Sequence, residues 1–566
     1  MKFTNDGQNR ILQAALIMLL AAVLFRTAVM QVPGTTGGEI LKQIKEKPVA
    51  TVPFEQEKQF EYVDSFDISF EKESGKLIFS CDFSEVPGSD DNYIYFLGQE
   101  IYEEDEDFSS EPICRKIKAE SIYAAVDYKR SQLFKRYTAA ILLGGEYVPL
   151  TEGLYASNPE NLADNEGKLP DNLSKKGILI DAVTLGTPQL KSLNTTHAVY
   201  NMPLSIFVGT KEDKETPHVE FKYDGETYYF NENWLNTYDT MYKSLEEEGI
   251  YTTAIILNDW NTVHPELMHP LSRNPDRQAN YFQFNTEEKE GVKLLEATAL
   301  FLADRYSDGK HGRVCNWVIA NEINQQKIWN YMDTSDGDYY AETFEKSFRL
   351  FYNAIKSENT GAHVYFSLDN VWNKNDGSDE NYFNGREIFE KFNECAKKHG
   401  NYDWSIAIHP YPVPLTKVNY WSSQNDMSEN AADLTIMNLS TITDMLERDE
   451  FKNPAGDVRS LAITELGYTS FSGEKLQAAA FAYCYKIVDN NPYVDMFLLN
   501  RETDSPVEMA AGLALGLYNV DYSEKYIKNV FSDIDGEHGD DYDQLILNIL
   551  KADSMEEALS WALKNE

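Results

Sequence analysis

Two rhythms of apolar and polar positions divide the chain. From Phe60 to about Pro149, apolar residues recur at every second position. In FDISFEKESGKLIFSCDF (66–83) a Ser74-Gly75 turn separates two such runs. Period-two alternation predicts half-buried strands, and the turn predicts a hairpin. NYIYFLGQEIYE and RYTAAILLGGEYVPLT continue the pattern, so residues 60–157 read as an all-β sandwich of about seven strands, with one short helix at Ala119–Ala125. A polar segment, 158–176, follows. The rhythm then changes to eight apolar runs: GILIDAV (177–183), HAVYNMPLSIFV (197–208), YTTAIILN (251–258), VCNWVIA (314–320), AHVYFSL (362–368), DWSIAIH (403–409), SLAITEL (460–466) and YVDMFLLN (493–500). Helical patterns separate them, such as EEKEGVKLLEATALFLADRY and AETFEKSFRLFYNAIKS, with apolar residues at i, i+3, i+4 and i+7. Strands buried on both faces read as continuous apolar runs, and their alternation with helices predicts a parallel sheet.

Eight βα units over residues 176–566 predict an α/β fold, a (β/α)8 TIM barrel, with a hairpin-like insert (HVEFKYDGETYYF) after the second strand. An open doubly wound sheet is the rival. It predicts a glycine-rich phosphate turn after the first strand, which DAVTLGTPQL lacks.

The first residues belong to neither unit. Lys2 and Arg10 precede an apolar run, Ile11–Phe25, closed by Arg26. Its length suits a signal-peptide core and falls short of the roughly 20 residues of a membrane span. Residues 1–31 are therefore expected to be a removed signal peptide or an uncleaved signal-anchor, and 32–59 a linker containing PGTTGG. This predicts an extracellular or cell-surface protein that touches a membrane only through that segment.

Charge narrows the partners. Lys and Arg number 51 against 92 Asp and Glu, a formal net charge of -41. Such a field repels nucleic acid and anionic membrane surfaces, so neutral substrates fit best. The five cysteines are scattered and form no C-x-x-C pattern; a Cys81–Cys114 bridge is the one pairing left open, and the others read as small buried hydrophobes. HPELMH (264–269) lacks the H-E-x-x-H spacing and carries prolines, so no metal is expected there. The acidic run 103–107 reads as a solvated loop, with a calcium patch as the alternative; 333–340 and 533–543 lack the spacing of a calcium loop and read as solvated loops. No cofactor is expected.

The candidate chemistry lies at the ends of the strand-like runs. NWVIANEIN (316–324) is an apolar strand that stops in Asn321-Glu322, and a carboxylate at the end of a buried strand is costly without a role. SLAITELGYTS, the seventh run, stops in Glu465. The third ends in Asn258 with Trp260 beyond it, the fifth in Asn370 with Trp372 beyond it, and the sixth in HPY, with His409 and Tyr411. In a TIM barrel these ends converge on one mouth, where chemistry is built.

An Asn-Glu pair on strand four with a Glu on strand seven resembles the clan A glycoside hydrolases, which are retaining enzymes on a TIM barrel. That resemblance implies Glu322 as acid/base, Glu465 as nucleophile, Asn321 as partner of the sugar 2-hydroxyl, and His409 or Tyr411 beside the nucleophile. Trp260 and Trp372 would offer flat faces to sugar rings, and Asn258 and Asn370 would bind substrate. Within the clan, FLADRYSDGKHGRVCNWVIANEIN is similar to the xylosidase-like members. HPELMHP and NYFQFN are similar to a bacterial family of uncharacterised glycoside-hydrolase-like proteins. Strand eight departs from the clan, ending in Asn500-Arg501 where many relatives have a Trp. The expected partner is a neutral oligo- or polysaccharide cleaved at its O-glycosidic bonds by double displacement. The alternative is a non-catalytic carbohydrate-binding protein of the cell surface on the same barrel. It would keep the aromatics without needing both glutamates.

Overall fold

A computed structural model describes residues 49–563 apart from 104–107, 109, 171–172, 275, 277, 375–382 and 424. The expected signal or anchor segment, most of the linker and most of the 103–107 acidic run lie outside the described residues. Among the described residues no helix is long and apolar enough to cross a membrane.

The alternating region forms seven strands: β1 (Val63–Glu71), β2 (Lys76–Phe83), β3 (Tyr93–Gln99), β4 (Cys114–Ile117), β5 (Ser121–Asp127), β6 (Arg136–Leu143) and β7 (Glu146–Pro149). They make two antiparallel sheets, β1-β2-β5 and β4-β3-β6-β7. The inward positions of both sheets enclose one core, in which Phe79 stacks on Phe96 at 4.9 Å between ring centroids. The β1–β2 hairpin turns at Gly75, whose φ of +63° suits a residue without a side chain. The expected helix at Ala119–Ala125 is instead strand β5. Its Ile122 and Ala124 are buried while Tyr123 is exposed, and it pairs with β2 from Lys76 to Asp82. Pairing and period-two burial override the local helix preference of two adjacent alanines. All five cysteines are free, which corrects the Cys81–Cys114 possibility.

The barrel strands are β8 (Lys176–Leu179), β9 (His197–Pro203), β13 (Tyr251–Leu257), β14 (Val314–Ile319), β15 (His363–Leu368), β16 (Ser405–Ile408), β17 (Leu461–Leu466) and β18 (Val494–Leu499). They run parallel and close on themselves in chain order, β18 pairing with β8. The eight strands fall within the eight apolar runs or, for β8, one residue outside. Between β9 and β13, the short β10 (Val208–Gly209) joins the insert hairpin β11 (His218–Tyr223) and β12 (Glu226–Asn231). The helices α1 (Glu232–Glu247), α2 (Lys289–Arg305), α3 (Gly337–Glu358), α4 (Gly385–Lys398) and α5 (Glu474–Asp489) come after β9, β13, β14, β15 and β17 and pack outside. α1 and α3 start where an Asn or Asp side chain, Asn231 or Asp336, accepts the first free backbone N–H groups.

Alternation along each strand sorts side chains between two cores. Trp317 and Ile319 face the helices, whereas Val318 joins Val199, Ile255, Leu257, Tyr365, Ala407, Ala462, Met496 and Leu498 inside the barrel. The sandwich docks on α2 and α3. Lys293 donates to Glu100 and Glu296, each at 2.9 Å, Lys135 reaches Glu100 at 2.7 Å, and Asn353 donates to the Leu133 carbonyl.

Candidate active site

The barrel interior turns polar at its mouth, two residues beyond four of the apolar positions. Past Tyr365 stands Ser367, past Ala407 His409, past Ala462 Thr464, and past Leu498 Asn500; all four are buried. Strand periodicity alone brings these groups to one ring. The two glutamates reach it by breaking that periodicity.

At the end of β14, Ala320 and Glu322 both adopt left-handed backbone, with φ of 64° and 40°. Such conformations cost non-glycine residues about 1–3 kcal/mol each and persist only where surroundings impose them. Here the Ala320 N–H donates to the Ile256 carbonyl, the Glu322 N–H to Ser367 Oγ and the Ile323 N–H to the Ser367 carbonyl. On β17 the pairing with β18 slips between Ile463 and Leu466. One extra residue in a strand re-aims the side chains beside it. Thr464 stays inside, and Glu465 comes to the mouth with its side chain 36% exposed against 13% for Glu322.

One imidazole joins the two carboxylates. His409 Nδ1 lies 2.7 Å from Glu322 Oε1 and 3.9 Å from Glu465 Oε2, and its Nε2 lies 3.0 Å from Thr464 Oγ1. The 2.7 and 3.9 Å distances add to 6.6 Å, which caps the separation of those two oxygens. Tyr411 donates its hydroxyl to Glu465 Oε1 at 2.9 Å. Asn500 donates to the Tyr411 hydroxyl at 3.0 Å and reaches Glu465 Oε1 at 3.4 Å.

Burial pushes the Glu322 carboxyl above its ordinary range. The His409 contact opposes this, and the Glu465 charge adds to it. Burial alone would lower His409, but the bond to Glu322 and the surrounding carboxylates leave it raised.

The other expected site residues divide. Asn321 is buried beside Glu322. Asn370 donates to the Tyr411 carbonyl at 3.2 Å, so it ties the strand-five loop to the strand-six loop. Trp372 is fully buried, packs on Phe389, and donates its indole N–H to the Glu429 carbonyl. No face remains for a sugar, so its expected platform role is corrected. Asn258 is also buried, and its amide donates to the Leu267 and Gln283 carbonyls. It pins the following loop instead of reaching substrate. Trp260 is 39% exposed, with its edge on Phe282 at 5.3 Å. His264 spends its nitrogens on Glu266 and the Gly209 carbonyl. Among the described residues no cluster of three or more His, Cys, Asp or Glu could hold a metal ion.

Three contributors escape a reading of strand ends. Ser367 and Thr464 are legible only as the i+2 positions of inward-facing Tyr365 and Ala462. Asp369, next to the expected Asn370, accepts from the side-chain amides of Asn324 and Gln325 and from the Val371 N–H. It fixes the turn that carries Glu322. Burial, then the Glu322 charge, raises its own carboxyl.

Similar solved structures are glycoside hydrolases. One is a family 39 glycoside hydrolase from the gut symbiont Bacteroides cellulosilyticus WH2, 12% identical over 79% of this chain and 77% of that one, with a TM-score of 0.42. An exo-beta-1,4-mannosidase from Opitutaceae bacterium strain TAV5 is 13% identical over 70% and 63% of the two chains, TM-score 0.40. A Parabacteroides merdae beta-glucuronidase is 10% identical over 84% and 52%, TM-score 0.35. No curated protein matches the sequence. The family model that does match spans residues 168–558, and the chain belongs to that family of unknown function, DUF5722.

Proposed function

We propose that the protein is an exported retaining glycoside hydrolase of the clan A type, acting on a neutral oligo- or polysaccharide. Glu322 is the acid/base and Glu465 the nucleophile. The observation that carries this reading is the shared contact with His409 Nδ1, which keeps the facing oxygens within 6.6 Å. Retaining enzymes hold their carboxyl groups about 5–5.5 Å apart, whereas inverting enzymes leave about 6.5–9.5 Å for a water.

The surroundings suit two different roles. Glu465 Oε1 is occupied by the Tyr411 hydroxyl and the Asn500 amide, which leaves Oε2 to attack the anomeric carbon. Buried Glu322, with its carboxyl biased towards the protonated form, donates to the leaving oxygen as the bond breaks. Once Glu465 is consumed in the glycosyl ester its negative charge is gone, and with it one cause of the raised Glu322 value. Glu322, a carboxylate since it gave its proton to the leaving group, therefore stays ionised and takes a proton from the incoming water.

The test is a panel of nitrophenyl glycosides and neutral oligosaccharides, with the anomeric configuration of the first product followed by NMR. Retention on at least one substrate is expected. An inverted product would overturn the roles of the two glutamates. Oligosaccharide binding without turnover, and no labelling of Glu465 by a mechanism-based glycosidase probe, would favour the binding protein.

A further inference from the structure

Neither tryptophan named from the sequence faces the two glutamates, yet an aromatic pair stands on the loops that leave β13 and β14. The chain leaving β13 returns as a ribbon in which Asp259 pairs with Tyr281, and the Phe282 N–H donates to the Asn258 carbonyl at 2.8 Å. The loop after β14 adds a third ply. The Asn280 N–H donates to the Ile328 carbonyl, the Tyr331 N–H to the Tyr281 carbonyl and the Gln283 N–H to the Tyr331 carbonyl. Asn330 also donates to Gln283 Oε1 at 2.8 Å. The result is a wall, continuous in hydrogen bonds with the turn that carries Glu322, whose carbonyl accepts from the Gln325 N–H at 2.7 Å.

Residues opposite each other across such a ribbon share a face, and neighbours along it alternate. Trp260 and Phe282 therefore lie on one face, where Phe282 packs with Met268 and Tyr331. Tyr281 and Asp259 lie on the other, and Tyr281 packs there against the barrel-interior cluster. Its ring sits 5.8 Å from that of Trp329, with 31° between their planes. Both rings are half-buried. Burial first, then the charges of Asp259 and Glu465, raise the Tyr281 phenol.

We propose that Tyr281 and Trp329 form the platform on which a neutral sugar ring stacks its C–H face at the mouth. This rests on the carbohydrate reading above. The charge around the platform selects against uronic acids. Glu322, Glu465 and Asp369 crowd the site, Asp259 accepts from the Ser205 N–H and hydroxyl, and the nearby Arg501 is paired with Glu508.

The test is calorimetry in a Glu465→Gln background, which retains ligand uncleaved. The probes are β-1,4-linked gluco-, xylo- and mannotetraose, with tetragalacturonate as the anionic probe. At least one neutral tetraose should bind, and Tyr281→Ala or Trp329→Ala should weaken it about tenfold or more. Tyr281→Phe and Trp329→Phe keep a ring and should stay within about threefold, which separates stacking from misfolding. Trp260→Ala, on the opposite face, should change nothing. Unaltered affinity in both alanine variants, no binding by any neutral tetraose, or tighter binding of tetragalacturonate would overturn the platform. If the platform variants lose binding but the wild type releases no reducing sugar from any tetraose, the hydrolase reading fails and the platform stands.

Discussion

Replacing His409 by Phe isolates the imidazole's part in the acid/base. Phe fills a similar volume at a position only 1% exposed, but it cannot reach Glu322, 2.7 Å from Nδ1, or Thr464, 3.0 Å from Nε2. The His409 contact opposes burial and pulls the Glu322 carboxyl down. Removing it lets burial and Glu465 act unopposed, so Glu322 holds its proton to higher pH. A hydrogen bond to a charged group contributes about 1.5–3 kcal/mol. At 1.36 kcal/mol per pH unit that corresponds to about 1–2 units. The general acid must be protonated in the free enzyme, so its ionisation sets the alkaline limb of kcat/KM. In His409→Phe that limb should move up by about 1–2 units, apart from any fall in the maximum. Thr464, left buried without a partner, should lower stability by about 1–3 kcal/mol in urea denaturation. An alkaline limb that stays in place would refute the coupling. One that moves down would mean that His409 accepts, rather than opposes, the Glu322 proton.

Other substitutions probe separate parts of the argument. Glu465→Gln should lose several orders of magnitude in turnover because no glycosyl ester can form; near-normal steady-state rates on an activated nitrophenyl glycoside would remove Glu465 as nucleophile. Glu322→Ala should be partly rescued by azide, which attacks the ester without a general base, and a rate insensitive to azide would count against the assignment. Trp372→Ala should cost about 3–5 kcal/mol as a core cavity while leaving KM of the folded enzyme within a few-fold; a selective rise in KM at unchanged stability would restore it as a sugar contact. Lys293→Met strips the cation from Glu296, which is fully buried and raised to about 7, first by burial. Breaking such a pair costs about 3–5 kcal/mol. A carboxyl raised in the fold favours the folded state below its unfolded value of 4.5 and loses that contribution as pH climbs through the folded value. The deficit relative to wild type should therefore widen from pH 5 to pH 8, and a gap that narrows over this range would contradict the burial argument.

The sequence by itself determined the element order and the barrel. The eight apolar runs, separated by period-3.6 stretches, mark the eight strands because strands buried on both faces read as near-continuous apolar runs. It also determined which strand ends carry carboxylates, since Glu322 and Glu465 interrupt apolar runs. Tyr411 and His409 were legible from HPY beside them. Which group each residue touches was decided only by closure of the barrel. The bulge on β17 and the left-handed turn at Ala320–Glu322 break the strand period on which sequence reading depends, and they determine where both carboxylates point. The resemblance puts His409 or Tyr411 beside the nucleophile; Tyr411 bonds Glu465, whereas the His409 bond runs to Glu322, because β16 lies beside β15, whose Ser367 holds the Glu322 turn. The aromatic residues are the plainest case. Trp372 and Trp260 follow strand ends as a platform would, yet one is drawn into the core by the fold of its loop and the other is turned away by the pairing of Asp259 with Tyr281. A strand's faces alternate residue by residue, so the register of a ribbon that forms only in the tertiary structure decides whether an aromatic ring meets the site or the far side of its own loop.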